Sequence, residues 1–261
     1  SRFYSGEWGQ ILGEVLDEVE GMLDPEIVTE PKYKPTLQSI DLLLDGFKVS
    51  QISAIGARGV YYFKLDDLDE GGGFEQTVWH LLEGFPGWST YRSPQVGQGQ
   101  QKRELTDVLG LCEYGICLFE AKAFATLSTN MHRHSARRAT NIRNQVKKGI
   151  SQLSGAFRSL SRKLPVSTQA GENIAIPKDI GPNNVGVVMV SELLCTVNWK
   201  EIANELLEVS GSAKAMIIVL DLQELRMMVR VSNKPEDLLV QLAKRFLYMR
   251  EHGTAYIRGR I

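Results

Sequence analysis

The chain has 261 residues, of which 43% are hydrophobic and 23% charged, and its 30 Lys and Arg against 31 Asp and Glu give a formal net charge of −1. That length accommodates one large domain or two smaller ones, and the balance excludes a protein that holds nucleic acid by bulk charge alone, leaving only a local basic patch. No apolar run approaches the roughly 20 residues of a membrane-spanning helix.

In chain order, residues 7–23 place Trp8, Ile11, Leu12, Val15, Leu16 and Val19 at helical spacing. A proline-rich loop follows, then a short helix or strand and a hairpin turning near Gly56 to Gly59. The acidic, glycine-rich joint DDLDEGGG, 66–73, marks a boundary. It divides the chain into an α+β accessory domain, residues 1–70, and a main domain, residues 71–261. The opening SRFYSGEW has no charged-then-apolar signal pattern. Cys112, Cys117 and Cys195 are odd in number and lack metal-ligand spacing, so reduced thiols in the cytoplasm are expected.

The main domain opens with a helix, FEQTVWHLLEGF, and a Pro- and Gly-containing loop. Leu105–Leu111 and Gly115–Ala121 read as two buried strands joined at Glu113 and Tyr114. HSARRATNIRNQVKKGISQLSGAFRSLSRKL reads as a long helix or helix pair, and a loop of about twenty residues leads to the strand VGVVMVSEL. A helix opened by Asn198 as cap, the strand KAMIIVLDL and a long helix with Pro235 in its first turn complete the chain. Strands alternating with helices predict an α/β class with a mixed central β-sheet flanked by helices.

The hairpin carries the chemistry. Side chains alternate along a strand, so Glu120 and Lys122 share a face. A two-residue turn at Glu113 and Tyr114 sets Asp107 directly opposite Glu120 on that face, where like charges destabilise a sheet. A hard divalent cation removes the conflict, because Mg²⁺ is held by one or two carboxylates plus water and phosphate oxygens. Lys122, one strand repeat further along (about 7 Å), reaches the water or phosphate beside it.

Asp107 followed across a hairpin by Glu120-Ala121-Lys122 resembles the pattern of the restriction-endonuclease-like PD-(D/E)xK nucleases, over residues 74 to about 250. Thr106 stands where the motif name has Pro, a position to which no chemistry is assigned. The resemblance implies that fold and a catalytic set of Asp107, Glu120, Lys122, Glu75 and Gln152, with Gln145 as the alternative glutamine. It also implies Mg²⁺ or Mn²⁺ as cofactor, held by Asp107, Glu120, the Ala121 carbonyl and Glu75.

From Ala121 to Gly171 there is no Asp or Glu, whereas cations crowd the segment. Arg133, Arg137, Arg138, Arg143, Lys147 and Lys148 are therefore candidate contacts to a phosphate backbone. His132 and His134 lack further ligands for a zinc site. The expected activity is metal-dependent hydrolysis of DNA, with RNA left open, in bacterial defence, restriction or repair. The expected assembly is a homodimer or larger, with residues 1–70 available to a further protein. The rival reading is a non-catalytic nucleic-acid-binding or assembly module on the same fold.

Overall fold

The computed structural model describes residues 51–56, 59–64, 70–122, 135–177, 183–191 and 193–257. The chain divides into two units, Ser1–Lys48 and Val49–Ile261. The helix expected over residues 7–23 lies outside the described residues, and everything below concerns the second unit. The hairpin β1 (Gln51–Gly56) and β2 (Gly59–Lys64) is grouped with that unit.

The main sheet is mixed and five-stranded, in the order β11-β10-β7-β6-β3. Its strands are β3 (Ser89–Arg92), β6 (Val108–Cys112), β7 (Gly115–Lys122), β10 (Val185–Val190) and β11 (Met216–Asp221). β7 pairs antiparallel with β6, parallel with β10, and β10 runs parallel to β11. β7 is thus central, which explains a strand apolar on both faces apart from two charged residues at its end. The α/β class and the mixed sheet flanked by helices are as the sequence predicts.

One face of the sheet is covered by α2 (Ser135–Ser161) and α3 (Trp199–Ala213), the other by α1 (Glu70–Leu82), α4 (Leu222–Val231) and α5 (Pro235–His252). Ile142, Val146, Ile150, Leu153 and Leu160 form the buried stripe of α2, against Leu109, Ile116, Leu118, Val188 and Val190. Val78, Leu81 and Leu82 of α1 pack with Cys117, Phe119 and Ala121 on the opposite face. The caps follow local chemistry. The Asn198 side chain accepts from the Glu201 backbone, and Pro235 occupies the first turn of α5.

Three stretches differ from the sequence reading. The loop between the first helix and the hairpin contains β3, β4 (Gln95–Val96) and β5 (Arg103–Glu104), and the later twenty-residue loop contains β8 (Val166–Ser167) and β9 (Asn173–Ile174). The last four form a second small sheet, β5-β4-β8-β9. Strands of only two residues carry no readable alternation, so tertiary pairing alone defines them. Helix α4 was also missed, although Asp221 and Glu224 form a complete capping box at its start.

Arg245 is buried within α5 and ties the C-terminal layer together. Its Nη2 donates to the carbonyls of Val219, at 3.3 Å, and Ala255, at 3.1 Å, and lies 3.3 Å from Glu224 Oε1. The guanidinium thus links a strand, a helix cap and the chain end. Among the described residues, no helix is long and apolar enough to cross a membrane.

Helix α2 meets the sheet most closely at Gly149, where a Cβ would come within 2.8 Å of Val188 Cγ1, whereas a Cβ at Gly155 would meet nothing within 4 Å. Gly149→Val should therefore cost about 1–3 kcal/mol of unfolding free energy through overpacking. Gly155→Ala should be neutral or gain about 0.5–1 kcal/mol from reduced backbone freedom. Urea unfolding of the two variants checks this pair, and equal effects would contradict the packing described.

Candidate active site

Why a charged cluster sits inside a buried sheet follows from the register of one hairpin. Cys112 pairs with Gly115 across the turn and Val108 with Phe119 at the far end. Continuing that register puts Asp107 level with Glu120, as the sequence predicts. The backbone ladder, however, ends at Val108, and side chains take over from it. Asp107 Oδ2 accepts from the Ala121 N–H at 2.6 Å, and the Thr106 hydroxyl donates to the Phe119 carbonyl at 2.8 Å. The Asp107 carbonyl meanwhile accepts from the Ser93 N–H at 2.8 Å. Asp107 is thereby fixed between the first residues beyond β3 and the end of β7.

Lys122 closes the cluster. Its Nζ lies 2.8 Å from Glu120 Oε2 and 3.5 Å from Asp107 Oδ2, and all three side chains are buried. One ammonium faces two carboxylates, so the negative charge is not fully balanced. Burial pushes the Glu120 carboxyl up to about 7, and Asp107 adds to the rise, while Lys122 and the Thr106 hydroxyl pull it partway back. Burial works against the Lys122 ammonium, but Glu120 and Asp107 outweigh it and hold its pKa above the ordinary lysine value. Lys122 is therefore cationic in this arrangement.

Glu75 belongs to α1, on the face opposite Glu120 and Lys122, yet it senses the same cluster. Burial raises its carboxyl to about 7, with Asp107 and then Glu104 adding to the rise, while Arg92 and Lys122 oppose it. Glu75 thus shares Asp107 and Lys122 with Glu120 as electrostatic neighbours. Arg92 was not singled out in the sequence, where a lone arginine in a supposed loop gives no signal. Thr106, to which no chemistry is assigned, has a structural part: its hydroxyl bridges the two strands where their ladder stops.

The remaining candidates are more dispersed. Gln152 is exposed on α2 and Gln145 half-buried. Gly149 contacts Val188, which pairs with Glu120, so Gln145, one helical turn earlier, lies closer to the level of Lys122 than Gln152 does. Arg143 donates to Glu201, and Lys147 lies 3.0 Å from Glu201 Oε1 and 3.3 Å from Glu205 Oε2. Both cations, expected at a phosphate backbone, are partnered by α3. Acidic residues remote in sequence could not be foreseen as their partners. Lys148 is exposed. Arg133, His132 and His134 lie outside the described residues, as do the side chains of Arg137 and Arg138.

Among the described residues, no group of three or more His, Cys, Asp or Glu side chains is arranged to hold a metal. The close acidic set is the pair Asp107 and Glu120. That pair still fits Mg²⁺ or Mn²⁺, because hard cations of this class use one or two carboxylates and keep water on the remaining positions. The Lys122 ammonium already stands between the two carboxylates.

No protein-family model matches the chain, and no curated protein matches it in sequence. Among solved structures, the small subunit of the heterodimeric restriction endonuclease R.BspD6I superposes with a TM-score of 0.41 at 10% identity, covering 69% of this chain and 85% of that chain. An overlap this loose carries no argument about fold or function.

Glu120 and Glu75 both protonate more readily in the folded chain than in the unfolded one. Their contribution to stability is fully present below the unfolded carboxylate value and is lost as pH rises through about 7. The metal-free protein should be less stable at about pH 8 than at about pH 5.5 on their account. Glu120→Gln should flatten that slope and gain on the order of 1–3 kcal/mol at the higher pH. Denaturant unfolding of both proteins at the two pH values measures it, and an unchanged slope would contradict the electrostatics above.

Proposed function

We propose that the chain is a metal-dependent nuclease that hydrolyses phosphodiester bonds in DNA. The observation that carries this reading is the buried juxtaposition of Asp107 and Glu120 on neighbouring strands around the Lys122 ammonium. Two carboxylates with one cation beside them match what a phosphodiester requires. One part holds a hard metal, and the other offsets negative charge gathering on phosphorus-bound oxygens.

Asp107, Glu120 and the Ala121 carbonyl would hold Mg²⁺ or Mn²⁺, with Glu75 reaching it directly or through water. In an extended strand a residue's N–H and C=O leave on the same side. The Ala121 carbonyl therefore faces the side where Asp107 accepts its N–H. When bound, the metal supplies Lewis-acid polarisation of the scissile phosphate and a more acidic water.

The chain's own residues divide the remaining work. Lys122 orients or deprotonates the attacking water and offsets charge developing on the phosphate oxygens. Glu75, where it reaches the metal through water, would accept the proton of the attacking water. Asp107 is pinned by the Ala121 N–H and so keeps its place as charge redistributes. Water adds to phosphorus and the 3′-oxygen leaves with a proton, giving a 5′-phosphate and a 3′-hydroxyl.

On this reading the protein acts in bacterial defence, restriction or repair, in the cytoplasm, as a homodimer or larger assembly. Residues 1–70 would be an accessory domain open to another protein. The test is incubation of the purified chain with plasmid, linear duplex and RNA, with and without Mg²⁺ or Mn²⁺. Metal-dependent cleavage of DNA is expected, with Lys122→Ala reducing it by at least about a hundredfold. Binding without cleavage in every metal condition would favour the non-catalytic module, and a Lys122→Ala variant as active as the parent would overturn the assigned role.

A further inference from the structure

Helix α2 presents two polar sides of different character. Arg143 and Lys147 turn toward Glu201 and Glu205 of α3. On another side, Asn141, Gln145, Lys148, Gln152, Gly155 and Ser159 follow one another at alternating spacings of four and three, which traces a single ridge along a helix. Asn141, Lys148 and Gln152 are exposed. The ridge contains no acidic residue, and every side chain on it can donate a hydrogen bond except glycine.

Two contacts orient this ridge. Ser159 Oγ accepts from Arg103 Nη2 at 2.8 Å and donates to the Gly155 carbonyl at 3.0 Å. The ridge therefore faces β5, the strand that leads through Leu105 and Thr106 into Asp107. At its other end Gln145 lies one turn before Gly149, which packs on Val188 beside Glu120. The ridge consequently runs from the level of the carboxylate pair to Arg103. The span from Gln145 to Ser159 is about 21 Å, which equals the axial rise of about six base pairs. Gly155 leaves open space where a side chain would stand, so a backbone can approach the helix there. Arg103 is exposed, as is its neighbour Glu104, the acid on the facing strand.

We propose that this ridge, closed at its far end by Arg103, is the track on which one phosphate backbone of a DNA duplex runs away from the Asp107–Glu120–Lys122 site. The proposal rests on the nuclease reading for its ligand and on the ridge geometry for its location. Lys148 and Arg103 supply the charge, the amides the hydrogen bonds, and Gly155 the clearance, while Ser159 holds Arg103 in place. Such contacts position a duplex without reading its sequence.

The experiment is fluorescence anisotropy of a labelled duplex longer than the ridge, in EDTA, across a salt series. Arg103→Ala with Lys148→Ala should weaken binding at least about fivefold and lower the salt slope by nearly two. Arg226→Ala with Arg230→Ala, an equal charge change on α4, should bind within about twofold of the parent. Gly155→Leu has room in the fold, so it should keep its melting temperature while losing affinity. The ridge is overturned if the Arg103 and Lys148 variant and Gly155→Leu both bind as the parent does, or if the parent binds no duplex. Cleavage is scored separately. Loss of binding in the ridge variants of a chain that never cuts would retain the track and sink the hydrolase, whereas a cutting parent with unaffected ridge variants would do the reverse.

Discussion

Two carboxylates that repel each other are brought together inside the protein by the register of the β6–β7 hairpin. Nothing about the core requires this: apolar residues at those positions would complete the same sheet more cheaply. The cluster is instead held by specific bonds, Ala121 N–H to Asp107, Lys122 to Glu120 and Thr106 to Phe119. Burial, with Asp107 adding to it, leaves carboxyl groups of Glu120 and Glu75 that titrate near neutrality. Buried charge retained at a stability cost, with perturbed proton affinity, is the pattern expected where chemistry is done.

The rest of the architecture serves that cluster. β7 is central, so Glu120 and Lys122 stand on a strand with neighbours on both sides. Helix α2 is divided between tasks: its apolar stripe fills the core, Arg143 and Lys147 bind it to α3, and the ridge toward β5 remains polar and free of acids. Arg245 fastens the opposite layer by joining β11, α4 and the segment after α5. Rigid supports on both faces keep a strained group of charges in one geometry.

Much of this was legible in the sequence because it depends on local pattern. The two-residue turn at Glu113 and Tyr114 fixes the register, and the register fixes which residues face Glu120. Period-two and period-3.6 apolar spacing located β6, β7, β10, β11, α2, α3 and α5. What escaped depends on distant partners. The Arg143–Glu201 pairing joins residues far apart in the chain, and a run of cations reads the same whether it faces DNA or a neighbouring helix. The two-residue strands of the second sheet exist only because they find one another. Helix α4 was signalled by its capping box, but its ten residues include exposed Met227 and Val231, which blur the amphipathic pattern.

The central claim is that Asp107 and Glu120 form a cation site and not a finished salt-bridge cluster. A thermal melt across a Mg²⁺ or Mn²⁺ titration, run on the parent and on Asp107→Asn, tests it most directly. If the pair takes a metal in the folded state only, the parent's melting temperature should climb with metal concentration. Asp107→Asn, relieved of one charge, should be as stable as the metal-free parent or slightly more so, and should not respond to metal. No metal effect in the parent, together with a drop in stability on substitution, would show that Lys122 alone completes the cluster and would contradict the account.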